Sequence, residues 1–299
     1  MPKIAYVEKS FARPTVAILE QANVIIEEYQ DQGFTLTLRQ LYYQFVSRDL
    51  VANTMKSYKR IGSVINDGRL AGLIDWNAIE DRTRNLQSLP SWSSPKDIIE
   101  SAAYGYRRDL WDGQRVRIEV WIEKEALAGV FQPVCEEFRV PFFCCRGYTS
   151  QSEMWTAARR LCKYERDGHV PIILHFGDHD PSGIDMTRDI IDRMGIFGLD
   201  LTLTRLALNM DQVDEYGPPP NPAKMTDSRF AGYVAEYGEE SWELDALEPR
   251  LLAGLVRKAV TSNIDMGAWE DAVEQETGEK GSLEDCATRW DDVVGFIAK

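Results

Sequence analysis

Nowhere in this 299-residue chain does an apolar run approach the ~18 residues needed to cross a bilayer, and no charged start leads into a hydrophobic segment. Neither a membrane span nor a signal peptide is expected. Cysteine is scarce: the five, at positions 135, 144, 145, 162 and 286, form an odd set without Cys-x-x-Cys spacing. That argues against a zinc site or a disulfide framework and fits ordinary buried thiols in a reducing cytoplasm, the expected compartment. Histidine is scarcer still, with three residues, and neither a Ser-His-Asp nor a Cys-His arrangement is legible. His175 reads as packed in a strand and His169 as part of a polar turn. His179 lies between two aspartates, where it would face phosphate or support a ligand at most. Positive charge is short as well, 34 Lys and Arg against 48 Asp and Glu for a net charge of −14, which argues against a protein that coats nucleic acid nonspecifically. The deficit is uneven. Residues 1–120 carry 16 basic and 15 acidic side chains, whereas residues 201–299 carry 9 and 20, so phosphate contacts could come from local basic faces in the N-terminal part.

Two acidic loops, each directly after an apolar strand, stand out between Arg117 and Asp185. The strand Ile118–Ile122 runs into Glu123-Lys124-Glu125. The strand Pro171–Phe176 runs into Gly177-Asp178-His179-Asp180-Pro181-Ser182-Gly183, followed by a helical apolar period at Ile184, Met186, Ile190, Ile191 and Met194. Between them the pattern predicts a helix over 126–138, a strand over 140–145, a turn at Gly147 and a helix over 151–166. Strands alternating with helices of this length imply a parallel sheet, with both loops on its carboxyl edge. Glu123, Asp178 and Asp180 would converge there. Three crowded carboxylates resist joint ionisation, so a hard cation is the natural complement, and Mg²⁺ (or Mn²⁺) with its preference for oxygen ligands is the candidate. The same Gly-Asp-x-Asp-Pro-x-Gly stretch also has the chemistry of a solvated turn.

The pair WIEKEAL and HFGDHDPSG resembles the Toprim domain, and its wording is closest to the A subunit of type IIB topoisomerases (topoisomerase VI) and its meiotic double-strand-break relative. The resemblance implies metal binding by Glu123, Asp178 and Asp180. Gly147, in CRGYTS, resembles the glycine at which that subunit's chain turns before the next helix.

The N-terminal part reads as three helices: one over 15–30 that Gly33 ends, one opened by Thr37 with Leu38, Leu41, Tyr42 and Phe45 inward, and one over 54–67 with Lys56, Lys59 and Arg60 outward. The following GLIDWNAIEDRTR, residues 72–84, could form a hairpin wing, giving a winged helix-turn-helix that lays a helix in the major groove. Within this unit TLRQLYY resembles the Arg-x-x-[Tyr/Phe]-Tyr motif of the same family, which implies Tyr43 as the nucleophile, Arg39 as its basic companion and Tyr42 as a packing aromatic. Arg39 and Tyr43 stand four apart on one helical face, so the guanidinium could sit beside the phenol and favour its ionised form. Without the downstream unit they would read as core and rim aromatics with an arginine lying over them.

A Ser- and Pro-rich linker sets a boundary near residue 90, and a helix over 96–111 leads into the sheet. A further strand is expected from Leu199, then a Pro-rich surface loop. A helix follows Pro249, and the preceding Glu243 and Asp245, in ELDAL, could reach the metal site, although charge at the helix start is their preferred role. The expected organisation is thus an α/β chain. A winged-helix domain covers 1–90, a Toprim domain 91–260 and an acidic helical extension 261–299. The resemblance implies a DNA-cleaving transesterase acting on duplex DNA as a homodimer, in which the tyrosine of one protomer works at the other's metal site, with a separate GHKL-type ATPase as a possible partner. A Toprim nuclease using activated water and a non-enzymatic DNA-binding scaffold are the alternatives.

Overall fold

A computed structural model of the chain describes residues 3–79 and 89–298. Its N-terminal part holds α1 (Arg13–Gln30), α2 (Leu38–Ser47) and α3 (Met55–Leu70). Thr37 caps α2 as the sequence predicts, through a reciprocal capping box in which its side chain accepts from the Gln40 amide and the Gln40 side chain accepts from its own. The three helices bury Ile18, Ile25, Leu41, Phe45, Ile61 and Ile65 in one core. Leu36 pairs with Ile79 through an isolated parallel bridge, while the second half of the anticipated wing, from residue 80, lies outside the described residues.

Next come α4 (Pro95–Gly105) and β1 (Val116–Ile122), then α5 (Ala128–Glu137), β2 (Phe142–Cys144), α6 (Gln151–Arg166), β3 (Val170–Phe176), α7 (Pro181–Ile196) and β4 (Thr202–Ala207). The four strands form one parallel sheet in the order β2-β1-β3-β4, with Ile122 level with Phe176. Both strand faces are covered, so β1 reads apolar nearly throughout. Ile118, Val120 and Ile122 join Leu174 and Phe176 on one side, and Trp121 joins Ile173 on the other. Glu119 is the exception on a buried face; Arg160 donates to it at 2.7 and 2.9 Å and the Trp121 indole at 3.0 Å.

The remaining elements are α8 (Met210–Tyr216), a two-residue pairing of β5 (Asn221–Pro222) with β6 (Glu240–Ser241), α9 (Phe230–Tyr237) between them, α10 (Pro249–Thr261), α11 (Met266–Thr288) and α12 (Trp290–Ile297). The helix expected to reach Trp111 stops at Gly105. Beyond it the backbone is extended, which lets the Arg108 amide donate to Glu276 of α11 at 2.7 Å. Glu276 is buried and also takes the Arg139 guanidinium, so the acidic C-terminal helix is anchored by its one buried carboxylate. No helix among the described residues is long and apolar enough to cross a membrane.

Candidate functional site

β1 and β3 are hydrogen-bonded neighbours, so the loops that follow them meet at the carboxyl edge of the sheet. Glu123 Oε2 accepts the Asp178 amide at 2.8 Å, and the Glu123 amide donates to the Phe176 carbonyl at 2.8 Å. The loop then turns into α7, where Asp180 is the N-cap, accepting the Gly183 amide at 2.6 Å and the Ser182 hydroxyl at 2.9 Å. Gly183 is obligatory here, because a Cβ on it would lie 2.2 Å from the Asp178 carbonyl oxygen. Arg205, on β4, fastens the turn from below. Its guanidinium donates to the carbonyls of Gly177 at 3.0 Å, Asp178 at 2.6 Å and Gly183 at 3.0 Å. Burial pulls Arg205 down to about 10 despite the nearby Glu123, Asp178 and Asp180.

His179 is not available to phosphate. It is 2 % exposed, its Nδ1 lies 2.8 Å from the Tyr233 hydroxyl, and its ring is surrounded by Tyr233, Tyr237 and Trp242. Its backbone exchanges two hydrogen bonds with Trp242, at 2.8 and 2.9 Å. This bridge draws the segment Trp242-Glu243-Leu244-Asp245 alongside the Asp178 loop, and the Leu244 amide donates to Asp178 Oδ1 at 2.8 Å.

The result is a carboxylate cluster made across the chain. Oxygens of Asp178, Glu243 and Asp245 lie within 4.8 Å of one another, a set that could hold a metal ion. Of the three ligands expected from the sequence, Asp178 belongs to this set, while Glu123 is engaged with the Asp178 amide and Asp180 with the start of α7. Glu243 and Asp245, read as able to reach the metal site but first as charge at a helix start, complete the set that could hold an ion. Their spacing across the start of the 3₁₀ turn Leu244–Ala246, just after Trp242, was the available signal, and Asp178, 65 residues before Glu243, was not visible as their partner.

Two cations face the cluster. Lys124 Nζ lies 2.8 Å from Asp178, 2.5 Å from Glu243 and 2.9 Å from Asp245, and Arg39 lies 2.5 Å from Glu243 and 3.0 Å from Asp245. Burial would raise Glu243, but Lys124 and Arg39 bring it down to about 2. Asp178 moves the other way, to about 7, because burial and the charges of Glu123 and Asp245 outweigh its share of Lys124. Burial and the neighbouring Asp180 also raise Glu123, against the Asp178 amide and Lys124.

Arg39 carries the tyrosine helix into the same site. Its guanidinium carbon is 5.8 Å from the Tyr43 ring centroid, and Tyr43, Arg39 and Glu243 line one cavity of about 280 Å³ together with Tyr58, Asn53 and Asn221. Tyr42 packs as expected, at 5.3 Å from Tyr58 edge to face, with its hydroxyl taking the Thr54 amide at 2.9 Å. Tyr43 is 5 % exposed. The expectation that Arg39 favours its phenolate is outweighed: burial, then Asp245 and Glu243, push the phenol up to about 12, because the guanidinium charge is already engaged by those carboxylates. No protein-family model and no curated protein matches this sequence.

Proposed function

We propose that the chain is a metal-dependent DNA-cleaving protein similar to the topoisomerase VI A subunit, a winged-helix unit joined to a Toprim unit, with Tyr43 as its nucleophile. The observation that carries this reading is the convergence of Tyr43, through Arg39, on a three-carboxylate cluster at the carboxyl edge of a parallel sheet. A solvated turn or a helical core has no use for such a meeting. Asp178, Glu243 and Asp245 offer the oxygen donors a hard divalent cation takes, and Asp245 Oδ2 is buried without accepting a hydrogen bond, so the residues fit Mg²⁺ or Mn²⁺. Bound there, such an ion supplies charge neutralisation for a phosphodiester and for its departing oxygen.

In this mechanism the Tyr43 hydroxyl oxygen attacks phosphorus as the P–O bond to the DNA 3′-oxygen breaks, giving a 5′-phosphotyrosyl link, and the phenol proton ends on the released 3′-hydroxyl. Arg39 balances charge growing on the phosphate. Glu123 and Arg205 orient the Asp178 loop, and Asp180 fixes the start of α7. Duplex DNA would approach over the N-terminal helices, where Lys56, Lys59 and Arg60 are exposed. A homodimer and a separate GHKL-type ATPase belong to this proposal as partners. The contact between Arg39 and the cluster of its own chain means that dimerisation is not needed to bring tyrosine and carboxylates together.

One observation favours a second reading. The Tyr43 phenol is buried and strongly protonated in this arrangement, which suits a Toprim nuclease that activates water and leaves Tyr43 aside. Supercoiled plasmid incubated with Mg²⁺ or Mn²⁺, then denatured with and without protease, separates the two. Transesterification gives protein-linked ends that Tyr43→Phe cannot form. Full cleavage with free ends by that variant would establish hydrolysis instead, and no cleavage by either protein would leave only a DNA-binding scaffold.

A further inference from the structure

The acidic cluster already contains a cation supplied by the chain. The Lys124 ammonium contacts all three carboxylates at 2.5–2.9 Å, on the same side chains whose oxygens come within 4.8 Å of one another. Oxygen ligands surround a divalent ion at about 2.0–2.6 Å. The position that satisfies Asp178, Glu243 and Asp245 together is therefore the one the ammonium fills, and the two cations cannot share it.

Charge points the same way. With Asp178, Glu243 and Asp245 all ionised, as ligation of a metal requires, Lys124 and Arg39 leave them one positive charge short, and a dication in place of the ammonium closes the difference. Asp245 is fully buried and meets both cations, Lys124 at Oδ1 and Arg39 Nε 3.0 Å from Oδ2, yet Oδ2 accepts no hydrogen bond and keeps its lone pairs for a ligand. Lys124 can leave. Its charge rides on a flexible four-carbon stem with some exposure to solvent, and its backbone belongs to the short connection between β1 and the 3₁₀ turn at Glu125–Leu127.

We propose that Lys124 is the internal counter-ion of this cluster and gates the metal site, so that a divalent cation enters only by displacing its ammonium. The inference rests on the reading that these carboxylates hold the metal. Binding is then an exchange, one ion in and one ammonium out to solvent, and Lys124 sets how tightly and how selectively the site loads.

Calorimetric titration of Mg²⁺ and of Mn²⁺ into the full chain, wild type against Lys124→Met, tests this. The variant keeps the length of the stem and removes the competing charge, so it should bind at least about tenfold more tightly. Its metal-free form should melt lower and be restored by metal, while Asp245→Asn should lose binding. Binding by wild type with equal or weaker binding by Lys124→Met overturns the gating role and leaves the metal reading standing. No binding by either folded protein overturns both. If Lys124→Met does not fold, acetylation of wild-type Lys124 followed by mass spectrometry decides. Labelling should accelerate several-fold at saturating metal, and an unchanged rate overturns the exchange.

Discussion

Asp178 and Asp180 stand two residues apart, yet the fold gives them different duties: one faces a carboxylate cluster, the other closes the first turn of a helix. Asp245→Asn should therefore weaken Mn²⁺ binding by at least about tenfold. Asp180→Ala should leave binding nearly unchanged and cost about 1 kcal/mol of stability, the usual loss for an N-cap. Calorimetry and urea unfolding on the two variants check the pair, and the opposite pattern would restore the ligand set expected from sequence alone. Asp178 also sets a pH dependence. Its carboxyl is raised to about 7 in the folded protein, above the ordinary carboxylate range, so the stability it contributes is fully present below about pH 4 and is lost as pH rises through about 7. One proton is involved, so the slope should not exceed about 1.4 kcal/mol per pH unit. Metal affinity should climb over the same interval, since a ligand must be ionised. Melting curves without metal at pH 5 and pH 8 should diverge for wild type and much less for Asp178→Asn. Equal divergence in both would assign the effect to other groups.

At the scale of elements, a strand end, a helix start and the segment Trp242–Asp245 are held together by hydrogen bonds that each engage the backbone on at least one side. The His179–Trp242 bridge, the Leu244 amide and the Arg205 contacts with three carbonyls form one frame around Asp178. Gly183 is where that frame tolerates no side chain. Gly183→Ala forces the start of α7 away from Asp178 and should cost about 3 kcal/mol, read by denaturant unfolding. Loss of metal binding should accompany it, whereas a cost near zero would mean that the turn has room to adjust. A second frame docks the acidic C-terminal helix. Glu276 accepts the Arg108 amide and pairs with Arg139 and Lys280, so Glu276→Gln should cost about 2 kcal/mol. Hydrogen exchange should then speed across α11 while β1 and β3 stay protected, because α11 packs mainly on α4.

At the scale of the whole molecule, the N-terminal helices and the sheet unit meet through few but specific contacts. Ala246 enters the N-terminal core, Asn53 donates to Asn221 at 2.6 Å, and Arg39 clamps Glu243 and Asp245. Tyrosine and cluster thus come from one chain. Mixing Tyr43→Phe with Asp245→Asn protein, each inactive alone, should restore no cleavage if this arrangement is the working one. Recovery in subunit-exchanged mixtures would mean that α2 leaves its own cluster and serves a partner, as the resemblance to the topoisomerase A subunit implies.

The alternation of apolar strands with amphipathic helices determined the parallel sheet, because burial on both faces makes β1 and β3 largely apolar, with Glu119 and His175 as the buried exceptions. Strand ends and caps were equally local: Glu123 follows its strand directly, Asp178 follows its own after Gly177, and Thr37 sits where a helix needs an acceptor. Only the tertiary structure decided which carboxylates meet. Glu243 and Asp245 reach Asp178 because a backbone bridge at His179 aligns two segments some sixty residues apart, and no periodicity encodes that pairing. Arg39 was legible as a neighbour of Tyr43 from its spacing along one helix. That its charge would be held by two distant carboxylates, leaving the phenol harder to ionise, depends on electrostatics summed across the interface, which a linear reading does not contain.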